Sequence, residues 1–403
     1  MVEKGLVDFF EKFLEREPLF QDKKILQSGH IPDKISHRGE QIKQLAEILA
    51  PCLRSEMPSN IFIYGQTGSG KTLVTKYITN QLIEVSQSKQ IGYKILYVNC
   101  KLRRVADTEY RIIAQLAREL GKAIPATGLP TDEVYTIFFS TIENEKQLFT
   151  IILDEVDRLV ERTGDGILYN LLRINSELKN SKVSLIGISN NLQFINDLDP
   201  RVRSSLSEEE IIFPPYNALQ IRDILAERSK AAFKPGVIAE GVIEKCAAYA
   251  AKEHGDARRA LELLRVTGEL AERDCVKKIT LKYVDKAEEK IERDRFLELI
   301  KIQPKQYQCV LYAIFLVSLK RKEAIFTGEV YEVYKRLCSR ISLRPLTQRR
   351  ISDIIGELDM MGVVNTNVIS KGRYGRTREI SLTIPKSTEP NIKKMLEEGL
   401  GFF

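Results

Sequence analysis

Residues 61–72 read IFIYGQTGSGKT, and no other stretch of this chain limits its fold so tightly. An apolar, β-rich run, Ile61 to Tyr64, enters a glycine loop, and LVTKYITNQLI follows with helical spacing. Gly65, Gly70, Lys71 and Thr72 fill every fixed position of G-x-x-x-x-G-K-[ST], and strand, loop and helix in that order are the context that gives the spacing its chemistry. The glycines let successive backbone N–H groups turn inward around phosphates, and the helix N-terminus adds its positive dipole end. The expected nucleotide cradle is therefore Gly65, Gln66, Thr67, Gly68, Ser69, Gly70, Lys71, Thr72 and Leu73. Lys71 is expected to reach the β- and γ-phosphates and Thr72 to ligate Mg²⁺, with ATP or ADP as the cofactor. A loop of this kind belongs to an α/β domain, a parallel sheet flanked by helices.

Two further strands agree. FTIILDEVD (149–157) is a buried-type strand ending in acids. Its Asp154 is placed to hold Mg²⁺ through water, and Glu155 to orient the attacking water. VSLIGIS (183–189) delivers Asn190 and Asn191. An asparagine there is either a turn former or an amide that holds the attacking water. Between KILYVNC (94–100) and the acidic strand, Lys101, Arg103 and Arg104 precede the apolar stripe Val105, Ile112, Ile113 and Leu116. This reads as an amphipathic helix with a basic end.

The charge is unevenly placed. Residues 301–385 hold 15 Lys/Arg against 7 Asp/Glu, a net of +8, while the whole chain carries +7. The remainder is thus about neutral, and such an asymmetry is expected of a nucleic-acid-binding module. From Tyr216 to about Arg295 the pattern is helical throughout. Beyond it, residues 304–320 read as an apolar helix, Thr327 as the cap of a second helix, and Thr347 as the cap of a third that Gly362 ends. VVNTNVIS and REISLTIP follow as strands joined by KGRYGRT. Three helices and a β-hairpin make a winged helix. Its third helix would bring Gln348, Arg349 and Arg350 to the major groove. Its wing would bring Lys371, Arg373, Tyr374, Arg376 and Arg378 to phosphates or the minor groove. The expected domains are 1–215 (α/β, with an N-terminal extension), 216–295 (all-α lid) and 296–403 (winged helix).

Phosphate loop, Asp-Glu strand and Asn-tipped strand, in that order, resemble an AAA+ ATPase. IPDKISHRGEQIKQLAEIL, LDPRVRSSL (198–206), FPPYNALQIRDIL (213–225) and EHGDARRALELL (253–264) narrow the resemblance. The chain is similar to the archaeal replication initiators, relatives of the eukaryotic origin recognition complex and of the helicase-loading factor Cdc-six. That resemblance implies Asn190 as the first sensor, Arg258 as the second, and Arg201 as a finger reaching a neighbour's nucleotide. It implies Ile35 to Arg38 at the adenine and Tyr216 beside the nucleotide, and origin DNA touched by the helix region of Lys101, Arg103 and Arg104. Ser205 stands where eukaryotic members carry a second arginine, so a slow, switch-like ATPase is expected. The implied partners are double-stranded origin DNA, a replicative helicase of the MCM type and a paralogous initiator on adjacent DNA. A nucleotide-gated transcription regulator, a clamp loader and a branch-migration ATPase remain open beside this reading.

No apolar run reaches the roughly 18 residues that a membrane span needs, and the charged N-terminus does not read as a signal peptide. Six cysteines without a CxxC pair and histidines at 30, 37 and 254 show no metal-ligand spacing. A cytoplasmic, nucleoid-associated protein is expected.

Overall fold

The computed structural model describes residues 17–101, 108–125, 128–144, 146–206, 208–253, 255–320, 325–370, 376–384 and 388–402. The chain divides into two compact units, Met1–Val284 and Asp285–Phe403.

The first unit is built on a five-stranded sheet. Its strands are β1 (Ile61–Gly65), β2 (Tyr93–Asn99), β3 (Leu148–Asp154), β4 (Lys182–Ser189) and β5 (Glu209–Phe213). Their order is β2-β3-β4-β1-β5, and all neighbours are parallel. The apolar runs are near-continuous because both faces are covered. Alternate residues feed different cores: Phe62, Ile151, Leu153 and Leu185 join one cluster, whereas Ile61, Ile63, Ile152 and Ile186 join the other. The helix Lys71–Ser88 supplies Val74, Ile78 and Leu82 to the second cluster. The helices Glu109–Glu119 and Thr131–Glu143 pack into the first. Ile112, Ile113 and Leu116 of the expected stripe are buried there, while Val105 lies outside the described residues. Only Ile211 and Phe213 of β5 are buried. With so short an alternation, its sequence carries little strand signal.

The lid follows as three helices, Ala218–Ala232, Val242–Lys252 and Ala257–Arg273. The chain segment after residue 17 packs on these helices. Leu19 N donates to Glu272 Oε1 (2.8 Å), Lys23 pairs with Glu269 (2.8 Å), and Phe20 stacks on Phe233 at 4.5 Å. Gly268 makes room for that stack, since a Cβ on it would stand 2.5 Å from Phe20 and 2.7 Å from Phe233.

The helix Leu281–Lys301 is continuous through residue 295. Its charge run, Glu292 to Arg295, contains an i, i+3 pair between Arg295 and Glu292 at 3.7 Å, and such pairs support a helix rather than break it.

In the second unit, helices Lys305–Lys320, Thr327–Arg340 and Gln348–Met360 precede an antiparallel sheet of β6 (Ile325–Phe326), β7 (Val364–Ser370) and β8 (Arg376–Leu382), ordered β6-β8-β7. Thr347 caps the third helix, accepting from Arg350 N, and Gly362 follows it at φ +72°. The second helix differs from its expected start. Phe326 is the cap residue, and Thr327 is the first helical residue, buried with an unpaired hydroxyl. Phe326 pairs with Glu379 as the last residue of β6, and the helix starts directly after it. Its N–H donates to Glu329 instead (3.3 Å). A helix at Glu389–Leu400 completes the unit through Tyr312 to Glu397 (2.7 Å). Cys309 and Cys338, 29 residues apart, lie with sulfurs 4.0 Å apart as buried free thiols.

Gly268→Ala tests the packing of the lid. Overfilling a tight site costs about 1–3 kcal/mol, against a helix-propensity gain of about 1 kcal/mol. The variant is expected to lower the urea midpoint without changing the slope; a rise in midpoint would contradict the packing described.

Candidate nucleotide site and winged helix

Register assembles the site. β1 and β4 pair Tyr64 with Ser189, and β3 and β4 pair Asp154 with Ile188. The carboxyl ends of three neighbouring strands therefore stand level, bringing the glycine loop, Asp154 and Asn190 to one edge. Crevices at such edges are where open parallel sheets bind ligands.

Within the loop, Lys71 is buried, and its ammonium donates to the carbonyls of Gly65 (2.8 Å) and Gln66 (2.9 Å). Burial, and next the positive charge of Arg258, push its pKa down to about 8. Thr72 Oγ1 donates to Asp154 Oδ2 at 3.0 Å, and the Tyr97 hydroxyl donates to the same oxygen at 2.6 Å. Burial and the adjoining carboxylate raise the Tyr97 pKa, so this hydroxyl keeps its proton. A hydroxyl and a carboxylate, oxygen donors only, suit a hard divalent cation such as Mg²⁺. Glu155 follows in a left-handed conformation, φ +56° and ψ 47°, beside the Lys101 ammonium at 3.7 Å. Asn190 is half-buried at the end of β4, where Ser189 Oγ donates to Asp157 at 2.9 Å.

The lid closes on this loop. Asp256 caps the helix Ala257–Arg273 by accepting from Arg258 N and Arg259 N. Gly68, at φ +74°, lies so close that a Cβ on it would be 1.8 Å from Asp256 Oδ1. A cavity of about 450 Å³ opens alongside, lined by Gly68, Thr72, Ile35, Tyr216, Arg258 and Leu261 among others. Its size suits a small cofactor. Arg258 thus faces the cavity, whereas Arg259 pairs with Glu253 at 3.2 Å.

Not every expected residue lines it. Gly70 and Leu73 do, but Gln66, Thr67, Ser69 and Lys71 belong to the loop itself. Ile35 is on the wall, and Arg38 is not. The Arg38 guanidinium is buried behind the wall, stacked 3.7 Å from the Tyr216 ring, and it donates to the carbonyls of Ser69 (2.9 Å) and Pro214 (2.6 Å). It clamps the phosphate loop to the start of the lid. Arg201 stands apart on the short helix Pro200–Leu206, exposed and paired with Asp199 at 3.1 Å. Tyr97 and Asp256 were missed in the sequence. Tyr97 left only one faint signal, its place two residues before the polar end of β2; Asp256, at the helix start in EHGDARRALELL, gave no sign that it would be the loop's neighbour.

In the second unit, Tyr334 is fully buried, accepts from Leu346 N (3.0 Å) and donates to Gln306. This pins the turn from which the third helix starts. Gln348, Arg349 and Arg350 are exposed there. Arg350 is also engaged sideways, donating to Glu357 (3.1 Å) and to the Tyr307 hydroxyl (3.2 Å). Arg378 is half-buried on β8, on the strand face that carries Ile380. Arg103, Arg104, Lys371, Arg373 and Tyr374 lie outside the described residues, and Arg376 is described by its backbone alone.

Residues 55–195 match the AAA domain family, residues 222–289 the Cdc6 AAA+ ATPase-type lid domain, and residues 298–389 the CDC6 C-terminal winged helix domain. Fold, site and matches together define a Cdc6-type AAA+ protein with a winged helix. The chain is 50% identical over 391 residues to the ORC1-type DNA replication protein of Thermococcus onnurineus, covering 96% of this chain and 94% of that one. It is 52% identical over 391 residues to that of Pyrococcus furiosus, covering 96% and 92%. The solved structure of the Aeropyrum pernix ORC1 protein in complex with DNA has a TM-score of 0.83 and 43% identity, over 95% of this chain and 98% of that one. The chain belongs to the ORC1-type DNA replication proteins, the archaeal replication initiators.

Lys71 has a measurable signature. Its folded pKa is about 8 and its ordinary value 10.5. Between these values the unfolded chain binds more protons at this site, so Lys71's contribution to stability improves as pH rises. Urea unfolding at about pH 7.5 and 9.5 should show the unaltered chain gaining on Lys71→Met as pH rises. No change between the two pH values, or a shift that favours Lys71→Met as pH rises, would contradict the buried, desolvated ammonium.

Proposed function

We propose that the chain binds ATP and ADP with Mg²⁺ as a slow switch and carries that state to origin DNA through its winged helix. The observation that carries the reading is a single cavity walled by both the phosphate loop and the lid helix of Arg258. A nucleotide there touches two elements whose spacing depends on which phosphates are present.

In this reading Lys71 exchanges its carbonyl acceptors for phosphate oxygens, and the phosphate's negative charge restores the proton affinity that burial removes. Thr72 and Asp154 hold Mg²⁺, which neutralises phosphate charge when bound. Glu155 and Asn190 orient water at the strand edge, and Arg258 reads the phosphates from the lid. Ile35 and Tyr216 serve the base and sugar side. Arg201 is the contribution to a neighbouring subunit's nucleotide. Ser205, in place of a second arginine, leaves hydrolysis slow.

On DNA, Gln348, Arg349 and Arg350 enter the major groove. Lys371, Arg373, Tyr374, Arg376 and Arg378 form the wing's grip, and Lys101, Arg103 and Arg104 add a contact from the ATPase unit. Support comes from the placement of the net positive charge and from the kinship with a protein solved on DNA. Recruitment of an MCM-type helicase, pairing with a paralogue and a cytoplasmic, nucleoid-associated location complete the proposal. Among the described residues no helix is long and apolar enough to cross a membrane.

Footprinting on whole-genome DNA fragments with ADP and with ATP tests this. Protection confined to a few replication-start regions, with turnover below roughly 10 per second, is the expected result. Scattered promoter protection would instead make the chain a regulator, and fast DNA-stimulated turnover a motor.

A further inference from the structure

The third helix of the winged unit carries a glycine in its interior, Gly356, where glycine is about the second-worst helix former. Its φ is not positive and no ladder is broken there, so backbone geometry does not require it. What does is a side chain from the hairpin. A Cβ on Gly356 would stand 2.7 Å from one terminal nitrogen of Arg378, 3.4 Å from the other, and 3.5 Å from the guanidinium carbon. The guanidinium of Arg378 therefore lies directly against the helix in the slot that the missing side chain leaves.

The hairpin explains how it gets there. Ile380 faces the core, and Arg378, two residues before it, continues that face past the last apolar contact. One turn beyond Gly356, Asp359 accepts from Thr366 N (3.2 Å) and Thr366 Oγ1 (2.8 Å), and Thr366 pairs with Ile380 in the sheet. The register between helix and hairpin is thus locked on the flank where Arg378 lies. Arg350 contrasts with it, since its charge is already answered by Glu357. Among the described residues no carboxylate pairs with Arg378, so its charge is left for an anion from outside.

We propose that Gly356 is a positioning residue for DNA binding: by lacking a side chain it seats Arg378 between the third helix and the wing, where one guanidinium grips a backbone phosphate at their junction. The proposal rests on the reading of the winged helix as the DNA-binding module. A guanidinium held in place by packing loses little freedom on meeting a phosphate, and its fork geometry suits phosphate oxygens. An alanine at 356 would push only the flexible end of Arg378, so the fold itself would not suffer.

Stability and affinity should therefore move in opposite directions. In the full chain, Gly356→Ala is expected to leave Tm unchanged or raise it by a few degrees, because alanine favours the helix. Its affinity for a generic DNA duplex, followed by fluorescence anisotropy, should weaken about tenfold, the scale of one charge-assisted contact. The slope of log affinity against log salt should become shallower by about 0.9, one phosphate contact. Arg378→Ala should show the same losses, and the double variant no more than Arg378→Ala alone. Unchanged binding by Gly356→Ala, a fall in its Tm, or an undiminished loss in the Arg378→Ala background would overturn the positioning role while leaving the wing intact. Normal binding and salt slope in Arg378→Ala would remove the contact itself, and this inference with it.

Discussion

The approach of Gly68 to Asp256 is the contact on which the first unit turns. A carboxylate that caps the lid helix rests where a side chain on the phosphate loop would be, and only glycine at φ +74° leaves the space. Loop and lid are therefore two walls of one cavity, and Arg258, two residues after the cap, is delivered to it. Arg38 secures the same junction from behind, with its guanidinium stacked on Tyr216 and bonded to carbonyls on both sides. Burial lowers its pKa; carbonyl acceptors and an aromatic face make up part of the lost hydration.

The second unit is organised by a buried hydroxyl in a similar way. Tyr334 is a core residue by burial, yet its OH holds Leu346 N and thereby the entry to the third helix. Thr347 then caps that helix and Arg349 and Arg350 emerge at its first turn. Placement of the basic residues thus descends from core packing, which explains how an exposed surface can be held in register.

Much of this was legible in the sequence. The strand–loop–helix around Lys71, the acidic end of β3, the polar end of β4 and the helices of the winged unit each carry their own periodicity or cap. What escaped had no local signature. β5 has two buried residues, β6 has two residues in all, and both exist because a neighbouring strand pairs with them. Thr327 looked like a cap because its residue type favours one; in the structure β6 runs straight into the helix, so Phe326 takes the cap position and Thr327 is already helical. The family resemblance put Arg38 at the adenine, but its guanidinium is bonded behind the wall to the carbonyls of His37, Ser69 and Pro214.

By itself, then, the sequence determined the secondary structure wherever a period or a cap acts over neighbouring residues, and it determined the chemistry of the loop, whose residue types admit little but phosphate. Only the tertiary structure decided which side chains share a site. Tyr97 meets Asp154, Asp256 meets Gly68 and Arg378 meets Gly356 across 57, 188 and 22 positions of chain. Contacts of that span depend on strand register and helix packing, which are properties of the assembled layers and leave no mark in any single stretch of residues.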